Sequence, residues 1–302
     1  MGRRTDFFIV GTAKAGTSAL HEYLSARPEV SMCSVKEPNF FSHDEIAAQR
    51  LYYKKRNVET ESEYHNLFHT RPSTRLLGEA SVSYLYYPDV ARRIYDYNPE
   101  AKILICLRDP VRRAYSHYCM DYALGLVKEP ISTIWKNGAG HPVTGNHYQQ
   151  YFLIGEYTDQ IKRYLDVFPK NQILILLHED LCAYPEKTMS RLATFLGLNT
   201  DSVNEELPLE NVSGIAKSGL IRWLYRHQII RKTIRGVMSG RMRERLRTIL
   251  FSRNGLPEFS DSLQRELTLH YGPMKESLQI LTGLDLTCWE KKTPAEYSES
   301  DH

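Results

Sequence analysis

Long apolar runs are missing from this 302-residue chain. The stretch Phe7 to Val10 is far too short for a signal sequence or a membrane span, so a cytoplasmic protein is expected. Cysteines are few as well. The five, Cys33, Cys106, Cys119, Cys182 and Cys288, are odd in number, scattered, and form no Cys-x-x-Cys pair. That pattern excludes a disulfide framework and a cysteine zinc site, and leaves reduced core thiols as the expectation. Charge of one sign is not in excess either: 39 Lys and Arg stand against 36 Asp and Glu. No recognisable nucleic-acid-binding motif accompanies that balance, so nucleic acid is not an expected partner. Repeats and low-complexity linkers are absent too. The expectation is one α/β domain over residues 1–302, with a core of about 6–200 and a helical, basic C-terminal extension of about 215–290.

What is present is concentrated near the N-terminus. Phe7-Phe8-Ile9-Val10 reads as a buried parallel strand, and Gly11-Thr12-Ala13-Lys14-Ala15-Gly16-Thr17-Ser18 follows it as a loop opening a helix. Glycines permit backbone N–H groups to turn inward, and a helix N-terminus attracts anions, so this is a phosphate-binding pattern. The lysine is displaced from its place in a nucleotide triphosphatase loop. There Gly-Lys-Ser/Thr is contiguous, whereas Lys14 precedes Gly16 by two residues, which argues against a standard ATPase or GTPase. A tight strand-to-helix turn without a ligand is the structural alternative.

A second block has the same logic. Ala101 to Leu107 reads as a buried strand, Arg108-Asp109-Pro110 stops it, and Val111 to Leu124 reads as a helix carrying Ser116 about two turns in. Further elements alternate: helices over Thr17–Arg27, Pro88–Tyr97 and Pro185–Leu196, a short strand end at Leu76–Glu79, and a strand over Gln172–His178. Pro28–Cys33 adds a short apolar segment, and 46–71 is polar, aromatic and helical in part. Strands alternating with helices imply a central, mostly parallel sheet flanked by helices. His178-Glu179-Asp180 mimics the acidic end of a magnesium-binding nucleotide motif. The plainer reading has Glu179 and Asp180 capping the next helix.

The two blocks together resemble the P-loop-containing sulfotransferases. Lys14-Ala15-Gly16-Thr17-Ser18 is similar to their 5′-phosphosulfate loop, and Leu107-Arg108-Asp109-Pro110 with Ser116 to their 3′-phosphate block. Glu37-Pro38-Asn39-Phe40-Phe41 and Glu79-Ala80-Ser81-Val82-Ser83-Tyr84, lying between, place the resemblance in the heparan-sulfate and bacterial carbohydrate branch. It runs from about Phe7 to Leu198, and less surely to Trp289. It implies 3′-phosphoadenosine 5′-phosphosulfate (PAPS) as donor, adenosine 3′,5′-bisphosphate (PAP) as product, Glu37 as base, and no metal. The branch usually has Glu-Lys-Thr-Pro where this chain has Glu79-Ala80-Ser81-Val82. The cytosolic small-molecule branch uses a histidine here, and none lies between Gly78 and Tyr87. Lys217, in the polar loop 211–219, resembles a late basic residue that contacts the nucleotide in the family; an exposed loop lysine is the alternative.

The mechanism so implied is in-line sulfuryl transfer to a hydroxyl or amine of an acceptor, a carbohydrate or other hydroxylated metabolite. Lys14 stabilises the leaving phosphate, and Glu37 takes the acceptor proton; Glu37 as a structural acid paired with Lys36 or Lys14 is the alternative. Phe40, Phe41, Tyr52, Tyr53, Tyr84, Tyr86 and Tyr87 suit either an acceptor cleft or a core. The basic, amphipathic stretch 222–253 suits a solvated helix face, an anionic glycan or a peripheral membrane contact. Two readings from other classes stand beside this one: a P-loop kinase or NTPase, and a non-catalytic anion- or membrane-binding protein.

Overall fold

A computed structural model describes residues 3–49, 51–52, 58–199, 215–216, 251–252 and 256–290. In chain order the elements are β1 (Phe7–Gly11), α1 (Thr17–Ala26), β2 (Val30–Met32), α2 (His43–Gln49), α3 (Glu61–His65), β3 (Leu76–Ala80), α4 (Val90–Tyr97) and β4 (Lys102–Leu107). Then come α5 (Pro110–Leu124), α6 (Ile131–Asn137), α7 (Gly145–Tyr151), α8 (Tyr157–Leu165), β5 (Ile173–Leu177), α9 (His178–Ala183) and α10 (Pro185–Leu196). A short ladder of β6 (Ile215–Ala216) with β7 (Phe251–Ser252) and the helix α11 (Asp261–Thr282) complete them.

The chain divides into two compact units. The first, Met1–Arg113, Ile154–Leu209 and Leu269–His302, holds a five-stranded sheet in the order β2-β3-β1-β4-β5. Every neighbouring pair in it is parallel. Parallel strands need crossovers that cover the faces, which explains why β1 is buried along its whole length and reads as an unbroken apolar run. Phe7 and Ile9 join Leu20 and Leu24 of α1, Leu104 and Cys106 of β4, and Leu192 and Leu196 of α10 in one core cluster. Phe8, on the opposite face, meets the rings of Phe41 and Tyr97 edge-on. Because β1 lies between β3 and β4, the chain changes sides of the sheet there. The carboxyl ends of those three strands border the crevice where open α/β sheets bind ligands.

The second unit, Ala114–Leu153 and Glu210–Thr268, packs aromatic side chains around buried polar groups. Trp135 stacks on Tyr148, Tyr115 stacks on Phe259, and the Tyr151 hydroxyl donates to Asp121 Oδ2 at 2.8 Å. Among the described residues no helix is long and apolar enough to cross a membrane. The basic stretch 222–253 lies outside the described residues except for its strand pair Phe251–Ser252.

Gly78 is required by closeness rather than by torsion. A Cβ there would fall 2.1 Å from Phe7 Cζ and 2.6 Å from Met32 Sδ, inside the β2-β3-β1 seam. Gly78→Ala is therefore expected to destabilise the protein by about 1–3 kcal/mol through overpacking, read as a lower urea midpoint at unchanged slope. A midpoint equal to the parent's would contradict this packing.

Candidate functional site

The loop after β1 is built from backbone torsion. Thr12 N–H donates to the Cys106 carbonyl at 2.7 Å, continuing the pairing with β4 beyond the strand end. Lys14 (φ 70°) and Gly16 (φ 87°) both occupy the left-handed region. Glycine does so freely and lysine at a cost, so the turn is held by its surroundings. Alternating left-handed residues are the arrangement in which successive N–H groups form an anion-binding concavity. A side chain at Gly16 would also place Cβ 2.8 Å from Leu181 of α9. No side chain caps α1, whose first residues Thr17 and Ser18 follow directly. An uncapped helix N-terminus is available to an anion.

Arg108 closes the same loop from β4. Its Nη1 donates to the Lys14 carbonyl at 3.1 Å, and its own carbonyl accepts the Tyr157 hydroxyl at 2.8 Å. The Nε is fully enclosed and has no hydrogen-bond partner. Burial lowers the pKa of this guanidinium, and the nearby Glu179 carboxylate opposes that shift. A partly buried cation with an unused, enclosed Nε donor fits an anionic ligand. Glu179 is not the helix cap expected from sequence: its Oε1 accepts the Asp109 N–H and its Oε2 the Trp289 indole N–H, each at 3.1 Å. The N-cap positions of α9 and α10 are Leu177 and Tyr184, neither with a side-chain cap, so Asp180 does not cap a helix either. His178, whose ring lies 3.5 Å from where a Gly16 Cβ would be, is pulled down to about 3 by burial and by Arg108 and Arg112. It is thus neutral over the working pH range. Neither role of Glu179 or His178 has a sequence signal, because their partners lie far away in the chain.

Glu37 sits on the loop that follows β2. Its backbone is left-handed (φ 61°), as is that of Asn39 (φ 55°). Glu37 N–H donates to the Ala80 carbonyl at 2.8 Å, and Asn39 Nδ2 donates to the Glu37 carbonyl at 2.7 Å. At the side chain, Lys36 Nζ donates to Glu37 Oε1 at 3.2 Å in a partly exposed ion pair. The pairing with Lys36 weighed from sequence is present. His43 is engaged by the Phe40 carbonyl and Asp44.

Behind this loop lies a group whose role the sequence did not reveal. Glu79 is fully buried at the end of β3, where Ser81 donates to Oε1 at 2.6 Å while Tyr64 and Tyr84 donate to Oε2 at 2.9 and 3.2 Å. Burial pushes its pKa up to about 7, and the three hydroxyl donors pull the other way. Its neighbour Ala80 is buried in the main core cluster, so the place where the branch carries a lysine is an apolar packing position here.

The first unit thus gathers the Lys14–Ser18 loop, Arg108 and the Glu37 loop at the carboxyl ends of β1, β4 and β2. Ser116 lies on α5 within the second unit, and Lys217 is outside the described residues. Phe41, Tyr84 and Tyr87 are core residues. Phe40 is partly exposed and stacks on Tyr64 at 4.6 Å. Cys33, Cys106 and Cys119 are buried, Cys288 is intermediate, and Cys182 is exposed rather than a core thiol. Among the described residues, no cluster of His, Cys, Asp or Glu has the makings of a metal site.

The family model of the sulfotransferase domain matches residues 4–236. The chain belongs to the sulfotransferase family. A crystal structure of a sulfotransferase from Alicyclobacillus acidocaldarius is 28% identical and superposes with a TM-score of 0.70, covering 96% of this chain and all of that one. Human carbohydrate sulfotransferase 15 is 26% identical over 251 residues, 66% of this chain and 45% of the relative. Human bifunctional heparan sulfate N-deacetylase/N-sulfotransferase 2 is 30% identical over 203 residues, 65% of this chain and 22% of the relative. The chain spans less than half the length of either human relative.

Glu79 links this sulfotransferase site to pH. The folded state holds its proton more tightly than an exposed carboxyl of ordinary value 4.5 does. Stability is therefore highest with Glu79 protonated and falls as pH rises from about 4.5 to about 7, by about 3 kcal/mol at most. Glu79→Gln removes this component. Urea unfolding at pH 4.5 and 7.5 is expected to show the variant gaining on the parent by that order, and a pH-independent difference would refute the assignment.

Proposed function

We propose that this sulfotransferase moves a sulfuryl group from PAPS to a hydroxyl or amine of a carbohydrate or other hydroxylated metabolite. The observation that carries the reading is the joined loop pair: Arg108, its Nε enclosed and unpartnered, donates to the carbonyl of Lys14 in a loop of alternating left-handed residues. Two separated anionic groups on one ligand match that pairing of an uncapped helix start with an arginine fork. The family supplies the donor, and the carbohydrate and heparan sulfate names of the relatives support a glycan acceptor.

In this reading the main-chain N–H groups of Lys14 to Ser18 bind the 5′-phosphosulfate. Arg108 binds the 3′-phosphate, with Ser116 and Lys217 assigned to the nucleotide by resemblance. The bond from sulfur to the phosphate oxygen breaks as the bond from the acceptor oxygen or nitrogen to sulfur forms. Lys14 stabilises the charge left on the phosphate, and Glu37 receives the acceptor's proton. Lys36, beside Glu37 at 3.2 Å, supplies a cation on the acceptor side, where Ala80 supplies none.

The test is sulfate transfer from labelled PAPS across glycans, lipids, phenols and hydroxylated polyketides, with ATP and PAP titrated in parallel. Tighter binding of ATP than of PAP, or no transfer to any acceptor, would overturn the reading. Arg108→Ala is expected to weaken PAP binding by about tenfold or more in calorimetry, the scale of one charge-assisted contact. Unchanged affinity would remove Arg108 from the 3′-phosphate site. Glu37→Gln is expected to keep PAP affinity while turnover drops about a hundredfold or more; near-parental turnover would reject Glu37 as base.

A further inference from the structure

The Glu37 turn is not self-supporting. Two of its residues adopt φ values that L side chains rarely take, and neither is a glycine. What holds them is a set of hydrogen bonds from one segment, 79–84. Asn39 N–H donates to Ser81 Oγ at 3.1 Å, and Phe41 N–H donates to Tyr84 Oη at 3.2 Å. Ser83 Oγ donates to Asn39 Oδ1 at 2.8 Å, and Ala80 supplies the carbonyl for Glu37 N–H.

A hydroxyl accepts an N–H reliably only if its own proton is directed elsewhere, because it has one donor and two lone pairs. The Ser81 and Tyr84 protons both go to Glu79, to Oε1 and Oε2 respectively. Above about pH 7 Glu79 is ionised, and an ionised carboxylate can only accept. It therefore fixes the direction of both hydroxyls and turns their lone pairs toward the loop amides. Tyr64 from α3 donates to the same Oε2, and Tyr97 from α4 and Tyr164 from α8 are the other titratable side chains that feel the Glu79 charge. Among the described residues, the side chains that act on Glu79 itself are three hydroxyls and no cation. A buried acid without a cationic partner is costly. Stability alone does not account for it, whereas a donor-ordering role does.

We propose that Glu79 is a positioning residue for sulfuryl transfer, ordering the Ser81 and Tyr84 hydroxyls so that they hold the left-handed turn carrying Glu37 at the acceptor. This rests on the reading of Glu37 as the base. Glu79 touches no reacting atom and acts through two hydroxyls and two backbone amides. Glu79→Gln keeps the volume but replaces one acceptor oxygen by an NH₂ donor. At least one of the ordered hydroxyls must then reverse, and its loop amide loses its acceptor.

The experiment uses the full chain with Glu79→Gln, Ser81→Ala and Tyr84→Phe, the last two deleting one hydroxyl each in case the first does not fold. The probes are PAP for the donor loop, fully desulfated heparin as acceptor, and amide hydrogen exchange over residues 37–41 against residues 14–18. The expected result for each variant is faster exchange at 37–41 with unchanged exchange at 14–18 and unchanged PAP affinity. kcat should fall roughly ten- to a hundredfold, the scale of a displaced catalytic group, while KM for the donor holds. Adding Glu79→Gln to Glu37→Gln should remove no further activity, since the two act as a unit. Parent-like exchange at 37–41 in all variants, or a loss of PAP affinity in step with kcat, overturns the proposal. Full turnover in Glu37→Gln would remove the base assignment instead, and the exchange pattern then decides by itself whether Glu79 holds the turn.

Discussion

Backbone pairing that continues past the strand ends is the constraint on which the site depends. Ser81 N–H reaches the Ile9 carbonyl, Leu85 N–H the Val10 carbonyl, Thr12 N–H the Cys106 carbonyl, Cys33 N–H the Gly78 carbonyl and Glu37 N–H the Ala80 carbonyl. Each of these bonds ties a loop to the neighbouring strand rather than to its own. Buried backbone groups must be paired, and here pairing them also brings three loops from distant parts of the sequence to the same edge of the sheet. The register Ile9↔Ala80 and Gly11↔Ile105 then decides which residues meet. A slip of one residue would turn every side chain of a strand to the other face and separate the loops.

The local conformations serve that arrangement. Lys14, Glu37 and Asn39 are the non-glycine residues with positive φ among those described, and all three lie in loops at the carboxyl ends of strands. Strain of this kind persists only where the surroundings over-determine it. The surroundings are identifiable. Arg108 takes the Lys14 carbonyl, while the Ser81, Ser83 and Tyr84 hydroxyls take the Glu37 turn. The same residues that would meet donor and acceptor are thus the ones whose backbones are held from behind by Arg108, just past the end of β4, and by side chains of the segment after β3.

The parallel strands were legible because both faces of such a sheet are covered, so β1, β4 and β5 appear as apolar runs bounded by Gly, Arg-Asp-Pro and His-Glu-Asp. The loop lysine and glycine were legible for the same reason: punctuation after an apolar run marks a carboxyl end. The conformations of Glu37 and Asn39 were not, since positive φ is announced by glycine and neither is one. Glu179 reads as a cap from sequence because local sequence offers only local partners, whereas its oxygens serve Asp109, 70 residues upstream, and Trp289, 110 residues downstream. Glu79 stood out only as an acid in a family motif. Its three hydroxyl partners, of which only Tyr84 is among the aromatics that suit either an acceptor cleft or a core, become visible only when the fold closes over them.

The two halves of the site treat charge in opposite ways. At the Lys14–Ser18 loop, burial lowers the Arg108 pKa and pulls His178 down to about 3, so the imidazole is neutral while the guanidinium remains a cation. An anion arriving at that loop finds a fixed positive group and an uncapped helix start that need no proton to be moved first. Around the Glu37 turn the group that becomes negative as pH rises through about 7 is Glu79, compensated by hydroxyl dipoles, while Glu37 pairs with Lys36 in a partly exposed ion pair. Hydroxyl dipoles stabilise a carboxylate less than a guanidinium would, and around Glu79 they oppose the upward shift from burial without cancelling it. A cation in their place would hold the acid more firmly but would draw its lone pairs away from Ser81 and Tyr84. The turn under Glu37 would then lose the ordered acceptors that its amides use, so the weaker compensation is the one compatible with this loop.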